Sequence, residues 1–90
     1  MKILEPYRAK IDSLDNQLVD LLVERAKIIA EVAEIKAQNN IPAVLQDRVN
    51  EVRERAVKRA VDQGGDDHYM REIYTKIIQL SCEMEEKHKA

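Results

Sequence analysis

From Tyr7 to Lys36 the sequence runs thirty residues without a glycine or proline, and apolar side chains return at alternating steps of three and four. One line reads Tyr7, Ile11, Leu14, Leu18, Leu21, Arg25, Ile28, Val32, Ile35. The parallel line reads Arg8, Ile11, Asp15, Leu18, Leu22, Arg25, Ile29, Val32, Lys36. Together they make a wide stripe of the kind a helix buries against other helices. Arg8, Arg25 and Lys36 stand on this stripe where hydrophobes are expected, and Asp15 is the only acid beside them. These cations either reach water from the core margin or await something anionic.

Pro6 suits a first helical turn, and Asn39-Asn40-Ile41-Pro42 reads as a stop, so helix 1 is expected from Glu5 or Pro6 to about Gln38. A helix of that length is about 50 Å long at 1.5 Å per residue. No compact chain of 90 residues contains such a rod, and the simplest solution is a dimer in which two long helices pack on each other. A second helix is expected from about Val44 to Asp62, with Leu45, Val49, Val52, Ala56 and Ala60 on one face and the mixed run Arg53 to Arg59 solvated on the other. Gly64-Gly65 ends it, and Asp66 or Asp67 caps a third helix reaching about Lys87. On that helix Met70, Ile73, Ile77, Leu80 and Met84 form the apolar line. Tyr74, Ile78, Ser81 and Glu85 form a second line at the core margin. The fold class is therefore all-α: one long and two shorter helices in a single domain over residues 1–90, paired as a homodimer.

Net charge of −2 offers no general attraction to nucleic acid or to an anionic membrane, so any anion site must be local. No apolar run reaches membrane-spanning length and no signal peptide is evident, which with the lone Cys82 suggests a cytoplasmic protein. His68 and His88 are far apart and Gly64-Gly65 lacks the context of a phosphate loop, so neither a metal nor a cofactor is expected.

Spacing limits what the seam cations can do together. Arg25 and Lys36 lie eleven residues apart, about 16 Å of rise, close enough for two long side chains to grip one small ligand. Arg8 lies seventeen residues before Arg25, about 25 Å away, and cannot join them within one chain. In an antiparallel dimer it would complete the partner's site. Arg48, Ser81 and Glu85 could add to a compact cation-rich pocket for a small polyanion. Chemistry there would rest on orientation and charge stabilisation.

Arg8 with Ile11-Asp12 and Leu14-Asp15, then Leu21-Leu22-Val23-Glu24-Arg25, Val32-Ala33-Glu34-Ile35-Lys36, Ile41-Pro42, Asp47-Arg48, and His68-Tyr69 leading to Ile77-Ile78 and Ser81, form a pattern across nearly the whole chain. In these features the sequence resembles the all-helical AroQ-class chorismate mutases. The resemblance implies an intertwined dimer and the Claisen rearrangement of chorismate to prephenate in aromatic amino-acid biosynthesis. It implies carboxylate-binding roles for Arg8 (from the partner chain), Arg25 and Arg48, a carboxylate and ether-oxygen role for Lys36, and a pocket-lining role for Ser81. Three positions depart from the common bacterial pattern: Val49 replaces a Glu that helps bind the ring hydroxyl, Leu45 replaces an Asp, and Glu85 stands where Gln is frequent. A carboxyl at Glu85 can donate to the ether oxygen only when protonated, so activity is expected to rise toward acidic pH. Two other readings stay open: an isochorismate pyruvate lyase or another mutase of a chorismate-like ring, and a non-enzymatic helical dimerisation module.

Overall fold

Pro6 begins a segment whose next helix breaker is Pro42, and the backbone uses almost all of that interval. The computed structural model describes residues 1–89, and among them every regular element is helical. A 3-10 turn at Lys2–Leu4 leads into α1, Glu5–Gln38; α2 spans Gln46–Asp62 and α3 spans Asp67–Lys89.

The helix ends follow from local chemistry. Asn40 takes the left-handed conformation (φ 57) just past α1, which lets the Ile41 N–H return to the Lys36 carbonyl at 2.9 Å. Gly64 (φ 82) does the same past α2, where Gly65 N–H reaches the Ala60 carbonyl at 2.8 Å. Both are stops in which a left-handed residue recovers carbonyls that the helix leaves open. The Asp66 carboxylate accepts the Tyr69 N–H at 2.7 Å and caps α3. Helix α2 begins at Gln46, two residues later than its apolar pattern suggests, because Leu45 is extended (φ −113, ψ 101).

Helix α3 packs against both α1 and α2, which do not pack directly on each other. The chain measures 55 × 23 × 15 Å with a radius of gyration of 16.3 Å, against about 12 Å for a compact chain of this length. Its interior is correspondingly small: among the described residues Ala33, Ala43, Val57, Ile78 and Glu85 are buried, and no large side chain is wholly enclosed. Every residue of α1 from Glu5 to Glu24 is exposed. Leu14 and Leu18, at the middle of the apolar stripe, are 63% and 55% accessible.

Two expectations about faces need correction. On α3 the line facing inward is the mixed one, with Ile78 and Glu85 buried and Tyr74 and Ser81 half-buried. Ile73, Leu80 and Met84 of the apolar line are exposed, since α1 and α2 together cover only one side of α3. On α2 the charge run is largely solvated, but Arg53 is half-buried and bonds Glu54 and Asn50, each at 3.1 Å. Arg71 of α3 pairs with the same Glu54 and with Asp67, clamping α3 to α2. Hydrogen bonds from Arg71 and then Arg53 hold the Glu54 carboxyl below its usual range.

Candidate active site

The half of α1 that α3 covers carries Arg25 and Lys36, so packing turns both cations toward the neighbouring helix. Arg25 Nη1 donates to Ser81 Oγ at 2.6 Å, and that hydroxyl donates to the Ile77 carbonyl one turn back at 3.0 Å. Lys36 Nζ donates to both Glu85 oxygens, at 3.0 and 3.3 Å, and to the Ala43 carbonyl at 2.9 Å. Glu85 is only 6% exposed. Its burial is tolerable because Lys36 supplies both charge and hydrogen bonds.

These groups border one cavity of about 390 Å³, toward the lower end of the usual range for small-ligand sites, roughly 300–1,000 Å³. Its apolar walls include Ile28, Ile29 and Val32 from α1, Val49 and Val52 from α2, and Ile78 from α3. Arg48 lines the rim and forms an ion pair with Glu51 at the surface. With Lys36 paired to Glu85 and Arg48 to Glu51, Arg25 is the lining cation without a carboxylate partner among the described residues. Val49, Ile78 and Cys82 also line a groove of about 310 Å³ on the outer side of α2 and α3, so this wall is one side chain thick. Burial, and then the nearby Glu85 charge, push the Cys82 thiol above its ordinary range and keep it protonated.

Of the residues singled out in the sequence, Arg25, Lys36, Arg48, Ser81 and Glu85 meet at this cavity. Arg8 does not: it is exposed near the start of α1 and is not part of the lining. The Ala43 carbonyl was missed, because no residue type announces which backbone oxygen a lysine will find.

The comparisons with known proteins fit this geometry. The chorismate mutase type II family model matches residues 7–86. The chain belongs to the chorismate mutase type II family. Among its relatives, the chorismate mutase of Methanocaldococcus jannaschii is 34% identical over 80 residues, covering 89% of this chain and 77% of the relative. The 4-amino-4-deoxychorismate mutase of Streptomyces venezuelae is 31% identical over 83 residues, covering 92% and 81%. That of Streptomyces pristinaespiralis is 30% identical over 84 residues, covering 93% of this chain and 65% of the relative. In this member of the chorismate mutase family, Leu45 and Val49 put two apolar side chains beside Arg48 on the cavity lining.

Proposed function

We propose that this chain is a chorismate mutase that catalyses the Claisen rearrangement of chorismate to prephenate as a homodimer, serving aromatic amino-acid biosynthesis in the cytoplasm. One observation carries the reading: three helices bring Arg25, Lys36, Arg48, Ser81 and Glu85 to one apolar cavity with a net positive lining. Chorismate is a dianion whose enolpyruvyl side chain must fold over its ring before one C–O bond breaks and one C–C bond forms. Cations at opposite ends of the cavity select that folded conformer by holding its two carboxylates, which removes much of the entropic barrier. Lys36 then donates to the ether oxygen as negative charge grows there, an interaction stronger in the transition state than in the ground state. Glu85 supplies a second donor when its carboxyl is protonated.

The surface of α1 supports dimerisation. A contiguous apolar face bearing Tyr7, Ile11, Leu14, Leu18 and Leu21, each more than half exposed, suits burial against a second copy of itself. Antiparallel pairing brings Arg8 of one protomer toward the open side of its partner's cavity, adding a cation there. The unit so formed is one helical domain per chain, with two shared sites.

A second reading is that the preferred substrate is 4-amino-4-deoxychorismate. Leu45 and Val49 offer no hydrogen-bond acceptor to a ring hydroxyl, and two relatives carry that compound in their names. Without a polar partner for the substituent, the site has little means of rejecting an amino group in place of a hydroxyl. Supplying chorismate, its 4-amino analogue and isochorismate separately, and identifying products by NMR, decides among these. Prephenate from chorismate supports the first reading, and a higher kcat/KM for the amino analogue the second. Salicylate with pyruvate from isochorismate would overturn both.

A further inference from the structure

Val49, Ile78 and Cys82 line two concavities at once, the inner cavity and the outer groove of about 310 Å³ between α2 and α3. The charges on the two sides of this shared wall are opposite. Inside, Arg25 is the cation without a carboxylate partner among the described residues. Outside, the charge left over is negative: Glu83 and Glu86 border the groove, and among the described residues neither forms an ion pair. Glu83 receives the neutral Gln79 amide at 3.4 Å. Arg53 also borders the groove, but Glu54 and Asn50 already hold it, each at 3.1 Å.

These groups are ordered along the groove. Four residues separate α2 from α3, so the two packed helices run antiparallel and the start of α2 lies beside the end of α3. Gln46 therefore shares one end of the groove with Glu86, and Glu83 lies one turn before it. Arg53, seven residues beyond Gln46 and about 10 Å away by helical rise, marks the other end. The result is an apolar bed of Val49 and Ile78 with a bare acidic end. An ammonium ion carries three N–H donors and meets both carboxylates there, while an apolar body leaves water on the bed. An anion of the same shape meets like charge. We propose that the outer groove binds a small organic ammonium ion with an apolar body, and that its occupancy is felt in the inner cavity through the shared wall. Close packing gives the wall little room to yield, so an occupant lying on Val49 and Ile78 from outside opposes their displacement by a ring inside and raises KM. No described residue of α1 lines the groove, so the site stands apart from the face proposed to pair two chains. The kinetic part rests on the mutase reading, whereas the binding does not.

The probes are 2-phenylethylamine and 3-phenylpropionate, which share a ring and a two-carbon link and differ in the sign of their charge. Methyl groups of Val44 and Thr75 report the groove alone, and those of Ile29 and Val32 the inner cavity alone. In methyl NMR titrations the amine is expected to shift Val44 and Thr75 with a Kd of about 1–10 mM, as suits a fragment of its size, and the carboxylate to leave them in place. Glu83→Gln combined with Glu86→Gln should weaken the amine about fivefold while keeping the basal kcat/KM. In steady-state kinetics on chorismate, saturating amine should raise KM about fivefold with kcat little changed, and the double variant should need correspondingly more amine. The site is overturned if the amine leaves Val44 and Thr75 unmoved, if the carboxylate moves them equally, or if the double variant binds the amine as wild type does. Shifts in the groove with KM unchanged overturn the coupling through the wall. Should no chorismate-like compound be turned over, charge-selective binding of the amine still upholds the groove while the mutase reading fails.

Discussion

Lys36 and Glu85, 49 positions apart in sequence, meet at 3.0 Å inside the cavity and join the end of α1 to the end of α3. The side chains are 16% and 7% exposed, so water screens the pair little. The carboxylate accepts from Lys36, whereas the proposed reaction needs a donor at that position.

Glu85→Gln should therefore change the pH profile. An amide donates at any pH, and a carboxyl only when protonated. The variant is expected to be faster than wild type at neutral pH and to have the flatter pH profile of kcat/KM. A flat wild-type profile removes Glu85 as a proton-dependent donor.

Lys36→Met should cost stability as well as activity. It leaves the Glu85 carboxylate buried without its counter-charge, a loss of about 3 kcal/mol, the lower end for a broken buried pair because the cavity admits water. Urea unfolding of the variant, alone and combined with Glu85→Gln, measures this. The double variant should recover part of the loss; equal stability of the two would argue that the pair contributes nothing.

Leu18→Glu addresses assembly. At 55% exposure in the single chain, Leu18 would be buried twice in a symmetric dimer, and at about 1.5–3 kcal/mol per side chain the dissociation constant should rise by roughly 10²–10⁴. Sedimentation equilibrium over a range of concentrations is the measurement. A variant that still associates as wild type would place the interface elsewhere.

Site sharing can be tested by complementation. Arg8→Ala and Arg25→Ala chains, each nearly inactive alone, should regain activity when mixed and allowed to exchange, because one site of each heterodimer is intact. Heterodimers that form, by native mass spectrometry, yet stay inactive would confine each site to one chain.

Cys82 should resist alkylation. Burial and the Glu85 charge favour its thiol over the thiolate, which is the reactive form. Iodoacetamide at pH 8 is expected to react more slowly with the folded protein than with the urea-unfolded chain. The unfolded thiol ionises first as pH rises, so this residue's contribution to stability is intact at neutral pH and is lost in alkaline solution, from the ordinary cysteine value upward. Equal alkylation rates in the two states would contradict that environment.

Much of this was readable from residue order. Breakers and caps are local, so Pro6, Asn40 and Gly64 marked the helix ends to within a few positions, and the spacing of Arg8, Arg25 and Lys36 required that Arg8 stand apart. What could not be read depends on partners distant in sequence. Which of two lines on α3 turns inward is decided by where α1 and α2 lie, since both lines contain apolar residues. The bond from Lys36 to the Ala43 carbonyl involves a backbone atom common to every residue. The contact of Arg25 with Ser81 joins residues 56 positions apart on two elements.

The scarcity of interior in the isolated chain bears on how the protein reaches its native state. With only a few residues buried and a half-length of α1 bare, the proposed dimer would remove much of the apolar surface of α1 from water only in the encounter of two chains. Under that proposal folding and association are one bimolecular event. Its melting temperature should climb with protein concentration, its refolding should follow second-order kinetics, and dilution should weaken the fold and the activity together.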